Sequence, residues 1–122
     1  MTNKKTLVIG ASTNVSRYSY SAVSLLKENK IDTIAFGIRS GIIHGTSIQQ
    51  SLPEKDEGIH TISLYIGPKH QVALEDQLIS LEPKRIIFNP GTENTSFEDR
   101  LRKNGIEALR ACTLVMLRTG QY

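Results

Sequence analysis

The sequence predicts an α/β fold: an open parallel sheet of about five strands with helices on both faces. Three observations carry that expectation. Short apolar, β-branched runs alternate along the chain with stretches whose apolar residues follow helical spacing. The strand runs end in turn-forming residues, at Gly10, Gly37, Gly67-Pro68 and Asn89-Pro90-Gly91. No linker, internal repeat or low-complexity stretch interrupts the 122 residues. One domain spanning residues 1–122 is therefore expected, with right-handed crossovers between its parallel strands.

Taken in order, Leu7-Val8-Ile9 is the first strand, and Tyr18, Ala22, Leu25 and Leu26 mark a helix ending near Glu28-Asn29-Lys30. Thr33-Ile34-Ala35-Phe36 is a second buried strand stopped by Gly37. Gly41 and Gly45 bracket a short extended excursion, and the polar stretch 51–58 is a loop with room for a turn of helix. Thr61-Ile62-Ser63-Leu64-Tyr65-Ile66 is the third main strand. Pro68 suits the first turn of the helix behind it, whose apolar residues are Val72, Leu74, Leu78, Ile79 and Leu81. Pro83 stops that helix, and Arg85-Ile86-Ile87-Phe88 forms strand four. Thr95 and Glu98 have capping-box spacing, with Thr95 at the cap, for a helix reaching Asn104 and stopped by Gly105. Ile106-Glu107-Ala108-Leu109 is a short fifth strand. Residues 112–117 suit either a last helical turn or a strand extension.

Bulk properties narrow the function. Lys and Arg number 15 against 12 Asp and Glu, a small and scattered excess. No basic run interleaved with aromatics appears, which argues against a nucleic-acid partner and suits a small anion equally well. Cys112 is the only cysteine, so neither an internal disulfide nor a cysteine-based metal site is expected. No run approaches a membrane span, and the N-terminus lacks a signal-peptide pattern, so the expectation is a cytoplasmic protein.

The first strand–helix junction is chemically the most informative stretch. A strand that turns through small residues into a helix presents unpaired N–H groups and the positive end of the helix dipole to an anion. A dinucleotide glycine pattern would place glycines at 10, 12 and 15; the chain has Gly10, Ser12 and Val15. Ser12 adds a hydroxyl, and Arg17 adds a cation suited to a phosphate. The same residues also suit an ordinary turn in which Ser12 or Asn14 caps the helix and Arg17 is merely solvated.

The end of strand two distinguishes between nucleotides. An NAD site expects a carboxylate there for the ribose hydroxyls. Phe36-Gly37-Ile38-Arg39 supplies Arg39 instead, which suits a ribose phosphate such as that of NADP or coenzyme A. A solvated surface arginine is the alternative.

The ordered series Gly10-Ala11-Ser12, Asn14, Ser16-Arg17, Ser19-Tyr20, Phe36-Gly37-Ile38-Arg39, Tyr65-Ile66-Gly67-Pro68 and Phe88-Asn89-Pro90-Gly91-Thr92-Glu93-Asn94 resembles the stand-alone CoA-binding proteins. These are similar to the CoA-binding domain of the succinyl-CoA synthetase alpha subunit. The resemblance spans nearly the whole chain, Cys112-Thr113-Leu114 included, and implies a Rossmann-like domain binding coenzyme A or an acyl-CoA. It implies that Gly10, Ala11, Ser12, Asn14, Ser16 and Arg17 hold the pyrophosphate. Gly37, Ile38 and Arg39 would border the adenosine and its ribose phosphate, and Gly67 and Pro68 the adenine or pantetheine side. Asn89, Pro90 and Gly91 would lie beside the thiol-bearing arm. Two departures stand out: many relatives have Val-Asn-Pro where this chain has Phe36-Gly37-Ile38, and Val15 replaces a common proline.

No catalytic set emerges. His44, His60 and His70 lie in separate segments without a nucleophile or metal-ligand signature, and the chain ends before any counterpart of the synthetase's phosphorylated histidine. Glu93 is read as a candidate base or, more simply, as first-turn capping chemistry. Cys112 suits either a mixed disulfide with a ligand thiol or an inert core position. Non-catalytic binding of a small nucleotide is the expectation, with no protein partner specified. Two rivals stand beside it: an NADP-dependent enzyme, and a regulatory interaction module with a vestigial nucleotide site.

Overall fold

The computed structural model describes residues 3–122. Its elements run β1 (Thr6–Ile9), α1 (Tyr18–Glu28), β2 (Thr33–Phe36), β3 (Gly41–Ile43), β4 (Thr46–Gln49) and β5 (Thr61–Leu64). They continue with α2 (Pro68–Gln71), α3 (Glu75–Ser80), β6 (Arg85–Phe88), α4 (Thr95–Lys103), β7 (Glu107–Arg110) and α5 (Thr113–Arg118). All seven strands form one sheet in the order β3-β4-β2-β1-β5-β6-β7. Every neighbouring pair is parallel except β3 with β4. Setting β3 aside, the parallel strands follow the doubly wound order 3-2-1-4-5-6, which reverses direction between β1 and β5.

The sheet has seven strands where the sequence suggested about five. The two additional ones are a hairpin at the edge, where the sequence suggested only an extended excursion. His44 and Gly45 join β3 to β4 with φ of 45° and 84°, and a two-residue turn with both central φ values positive matches the twist of paired strands. β3 is the short edge strand and β4 beside it alternates buried with exposed residues, so neither has the continuous apolar run that reveals a central strand.

The central strands are buried on both sides and divide their side chains by parity. Leu7, Ile9, Ile62, Leu64, Ile86 and Phe88 face one core with Leu78 of α3 and Phe97 and Leu101 of α4. Phe88 meets Phe97 edge-to-face at 5.8 Å between centroids. Val8, Ala35, Ile43 and Ile48 face the other core with Val23 and Leu26 of α1, and with Leu117 of α5 at its margin. On that second face β5 and β6 carry polar residues: Arg85 Nε donates to Thr61 Oγ1 at 2.9 Å, and its guanidinium lies over the Tyr122 ring.

Three helical details differ from the sequence reading. The helix expected behind Gly67-Pro68 is α2 and α3 joined by a 3₁₀ turn at Val72–Leu74. Gln71 is fully buried while Val72, expected in the core, is 68% exposed. The cap of α4 is Asn94, one residue before Thr95: its Oδ1 accepts from Phe97 N at 3.2 Å, and Glu98 Oε2 accepts from Asn94 N at 2.8 Å. Residues 113–118 are helical, which settles the open choice at the end of the chain.

Candidate functional site

The ends of β2, β1, β5 and β6 are adjacent along the carboxyl edge of the sheet. The four groups of site residues expected from sequence follow these four strands, so the fold brings them to one edge. They are not used alike.

The β1–α1 turn is held by backbone contacts. Gly10 N and Ala11 N both donate to Phe36 O at 2.9 Å. Gly10 takes φ +94°, a region that favours glycine. Gly37 is required for a different reason: a Cβ there would stand 2.3 Å from Ala11 O. Within the turn, Ser12 Oγ accepts from Asn14 N at 3.0 Å, and Asn14 Oδ1 accepts from Ser16 N and Ser16 Oγ at 3.0 and 2.7 Å. Ser12 and Asn14 therefore stabilise the turn and do not cap the helix. The N-cap of α1 is Arg17, which makes no side-chain cap bond, and the first turn of α1 carries no acidic residue. Among the described residues the N–H groups of Ser12, Thr13, Val15, Tyr18 and Ser19 find no partner within the chain. Arg17 is exposed and makes no ion pair there. Five unused donors and a cation thus stand together at a helix start, the arrangement that suits an anion.

At the end of β2, Ile38 is 88% exposed and Gln50 Nε2 donates to Ile38 O at 2.9 Å. Arg39 is exposed beside it, again without an ion pair among the described residues.

The β5 and β6 ends use their polar groups internally. Asn89 is 2% exposed. Its Nδ2 donates to Ser63 Oγ at 2.9 Å and to Leu64 O at 2.8 Å, and its Oδ1 accepts from Thr113 N at 2.8 Å. Ser63 Oγ also pairs with Thr113 Oγ1 at 2.8 Å. Gln71 Nε2 donates to Ile66 O and Thr92 O at 2.9 and 2.8 Å, and its Oε1 accepts from Asn94 Nδ2 at 2.9 Å. The sequence reading missed Ser63, Gln71 and Thr113. The available signals were a serine inside an apolar strand and a glutamine beside the apolar stripe of a helix.

Tyr65 lies beside this network with a buried hydroxyl that has no hydrogen-bond partner. Burial pushes its phenol up to about 12; the nearby Ser63 and Thr113 hydroxyls act weakly the other way. Gly67 starts α2 as its N-cap with Pro68 in the first turn, and Pro90 is exposed. A Cβ at Gly67 or Gly91 would meet nothing within 4 Å, so both border open space. Glu93 lies before α4, where its Oε1 accepts from Gly91 N at 2.9 Å. It serves the loop, not the first helical turn.

Cys112 is half-buried at the N-cap of α5. His44 Nε2 lies 3.4 Å from Tyr20 Oη, His60 Nδ1 lies 2.8 Å from Thr61 Oγ1, and His70 is exposed in α2. The three histidines stay apart. A cavity of about 420 Å³ lined by Ile79, Pro83, Lys84, Gly105 and Ile106 lies at the opposite, amino edge of the sheet.

The doubly wound strand order reverses at the β1–α1 turn, the place in open α/β sheets where ligands bind. Residues 4–118 match the family described as CoA binding domain, and the chain belongs to that family. It is similar to the crystal structure of an uncharacterised protein, 41% identical over 100% of both chains, with a TM-score of 0.92. Its fold is also that of a protein from Thermus thermophilus, at 18% identity and TM-score 0.84 over 98% of this chain and 91% of that one. A conserved hypothetical protein from Pyrococcus furiosus shares it at 22% identity and TM-score 0.78, over 92% and 97% of the two chains. No curated protein matches the sequence.

Proposed function

We propose that the protein binds coenzyme A or an acyl-CoA along the carboxyl edge of its sheet, without catalysing a reaction on it. The observation that carries this reading is the β1–α1 turn, with unused N–H donors and an unpaired Arg17, in a chain of the CoA binding domain family. The turn's N–H groups, the Ser12 hydroxyl and Arg17 hold the pyrophosphate, and Gly10, Ala11, Asn14 and Ser16 shape the turn that presents them. Gly37 lets that turn approach β2. Ile38 offers an apolar surface to the adenosine, and Arg39 pairs with its ribose phosphate. Gly67, Pro68, Pro90 and Gly91 border the path of the pantetheine arm. Asn89 acts through the loop it anchors, since its amide is fully engaged.

No helix among the described residues is long and apolar enough to cross a membrane, and scattered charge supports a small ligand over nucleic acid. A cytoplasmic location goes with this reading. Side-by-side calorimetric titration with CoA, 3′-dephospho-CoA and NADP tests it. CoA is expected to bind most tightly, with loss of the 3′-phosphate weakening it. Tighter binding of NADP would transfer the site to a redox nucleotide, and binding of none would leave a vestigial site.

A further inference from the structure

The loop after β6 carries a carboxylate, Glu93, that lies near the Arg110 guanidinium without forming an ion pair with it. Glu93 is exposed, and its Oε1 accepts from Gly91 N at 2.9 Å. The neighbouring carboxylate, Glu98, is matched by Arg110, whose Nε lies 2.9 and 3.1 Å from its two oxygens. Arg110 Nη2 donates to Thr95 Oγ1 at 3.2 Å, and Arg102 turns to Glu98 and Asp99. Among the described residues Glu93 has no ion-pair partner. Beside it Gly91 borders open space, so the charge faces whatever reaches this part of the edge.

What reaches it follows from direction, given the CoA reading on which this inference rests. Phosphates at the β1 end and near Arg39 at the β2 end place the nucleotide on one side of the strand-order reversal. The remaining arm then runs over β5 and β6. Neighbouring strands lie about 4.8 Å apart, so the β6 end is about 10 Å from the β1 end, and a phosphopantetheine arm is longer than that. The arm therefore has the length to bring its thioester end to the loop of residues 89–94.

We infer that Glu93 sets acyl specificity: the site accepts CoA esters of short neutral acids and disfavours those whose acyl group ends in a carboxylate. A second carboxylate near Glu93 is repelled, and Gly91 N, the donor that could have received it, is already engaged. At a partly solvated edge such repulsion corresponds to about three- to tenfold in affinity.

The test is calorimetric titration of the whole chain with acetyl-CoA and succinyl-CoA at low salt, for wild type, Glu93→Gln and Glu93→Lys. Glutamine keeps an oxygen for Gly91 N and loses the charge. Wild type is expected to prefer acetyl-CoA by about three- to tenfold, Glu93→Gln to bring the ratio within about twofold, and Glu93→Lys to favour succinyl-CoA. Asp99→Asn, which removes a paired carboxylate on α4, leaves the ratio at its wild-type value. A ratio that none of the Glu93 substitutions moves overturns the specificity role alone. Wild type binding neither ester nor free CoA overturns the CoA reading and this inference with it.

Discussion

The two halves of the carboxyl edge spend their polar groups in opposite ways. On the β5–β6 side, the Asn89 and Gln71 amides and the Ser63 and Thr113 hydroxyls bond to one another and to backbone, and three of the four residues are fully buried. On the β1–β2 side, the turn satisfies only part of itself and leaves backbone donors without a partner among the described residues, beside two exposed arginines. A buried polar group must be bonded, whereas an exposed donor can wait for a ligand at little cost. The first half is internally satisfied scaffolding and the second keeps donors unused. Substitutions in the two halves should therefore separate into stability effects and binding effects.

The largest effect is expected from Asn89→Ala. It removes three hydrogen bonds and strands the buried Thr113 N–H, so urea unfolding should show a loss of about 3–5 kcal/mol. Gly37→Ala comes next and touches both halves of the contrast. The new methyl must displace Ala11 O from 2.3 Å, costing about 1–3 kcal/mol of stability and misplacing the donor turn. Thermal melts and CoA titration should both register it. Arg17→Ala should leave the melting temperature unchanged and weaken CoA binding by about 1–3 kcal/mol, as for loss of a charge-assisted hydrogen bond. An Arg17→Ala protein that is less stable but binds normally would erase the distinction.

The smallest effect is pH-dependent. Burial opposes ionisation of Glu98, but hydrogen bonds from Arg110 and Asn94 N, with the charges of Arg110 and Arg102, hold its carboxyl below the usual range. A depressed folded-state pKa stabilises the fold above the ordinary carboxylate value and loses that stabilisation as pH falls through the folded value. Glu98→Gln is therefore expected to cost about 1–2 kcal/mol at neutral pH. The gap from wild type should close as the pH falls below about 4. A gap that stays constant across that range would show that charge has no part in the Asn94–Glu98–Arg110 contact.

The contrast also explains what the sequence disclosed. β1, β2, β5 and β6 lie in the interior of the sheet, so each reads as a nearly continuous apolar run, and the turns behind them are rich in glycine and small polar residues. Where an element is half-buried the pattern weakens: β3 reads only as a short excursion between Gly41 and Gly45, β4 gives no strand signal, and the helical spacing places Val72 in the core that Gln71 occupies. Asn94 outcompetes Thr95 as the cap because its side chain reaches both Phe97 N and the Gln71 amide. The β1–α1 turn was legible because it depends on local sequence, a strand end followed by small residues and an arginine. The scaffolding half was not. A chain of residue types does not reveal that Ser63 and Thr113, 26 and 24 residues away, converge on the Asn89 amide.

The most direct test is a titration of the ¹⁵N-labelled protein with CoA, followed through its backbone and side-chain amide resonances. The account predicts the largest shifts at the N–H groups of Ser12, Thr13, Val15, Tyr18 and Ser19, with the Asn89 side-chain amide and Thr113 N–H nearly still. Shifts centred on residues 79–84 and 104–106 at the opposite edge, or a spectrum that CoA leaves untouched, would contradict it.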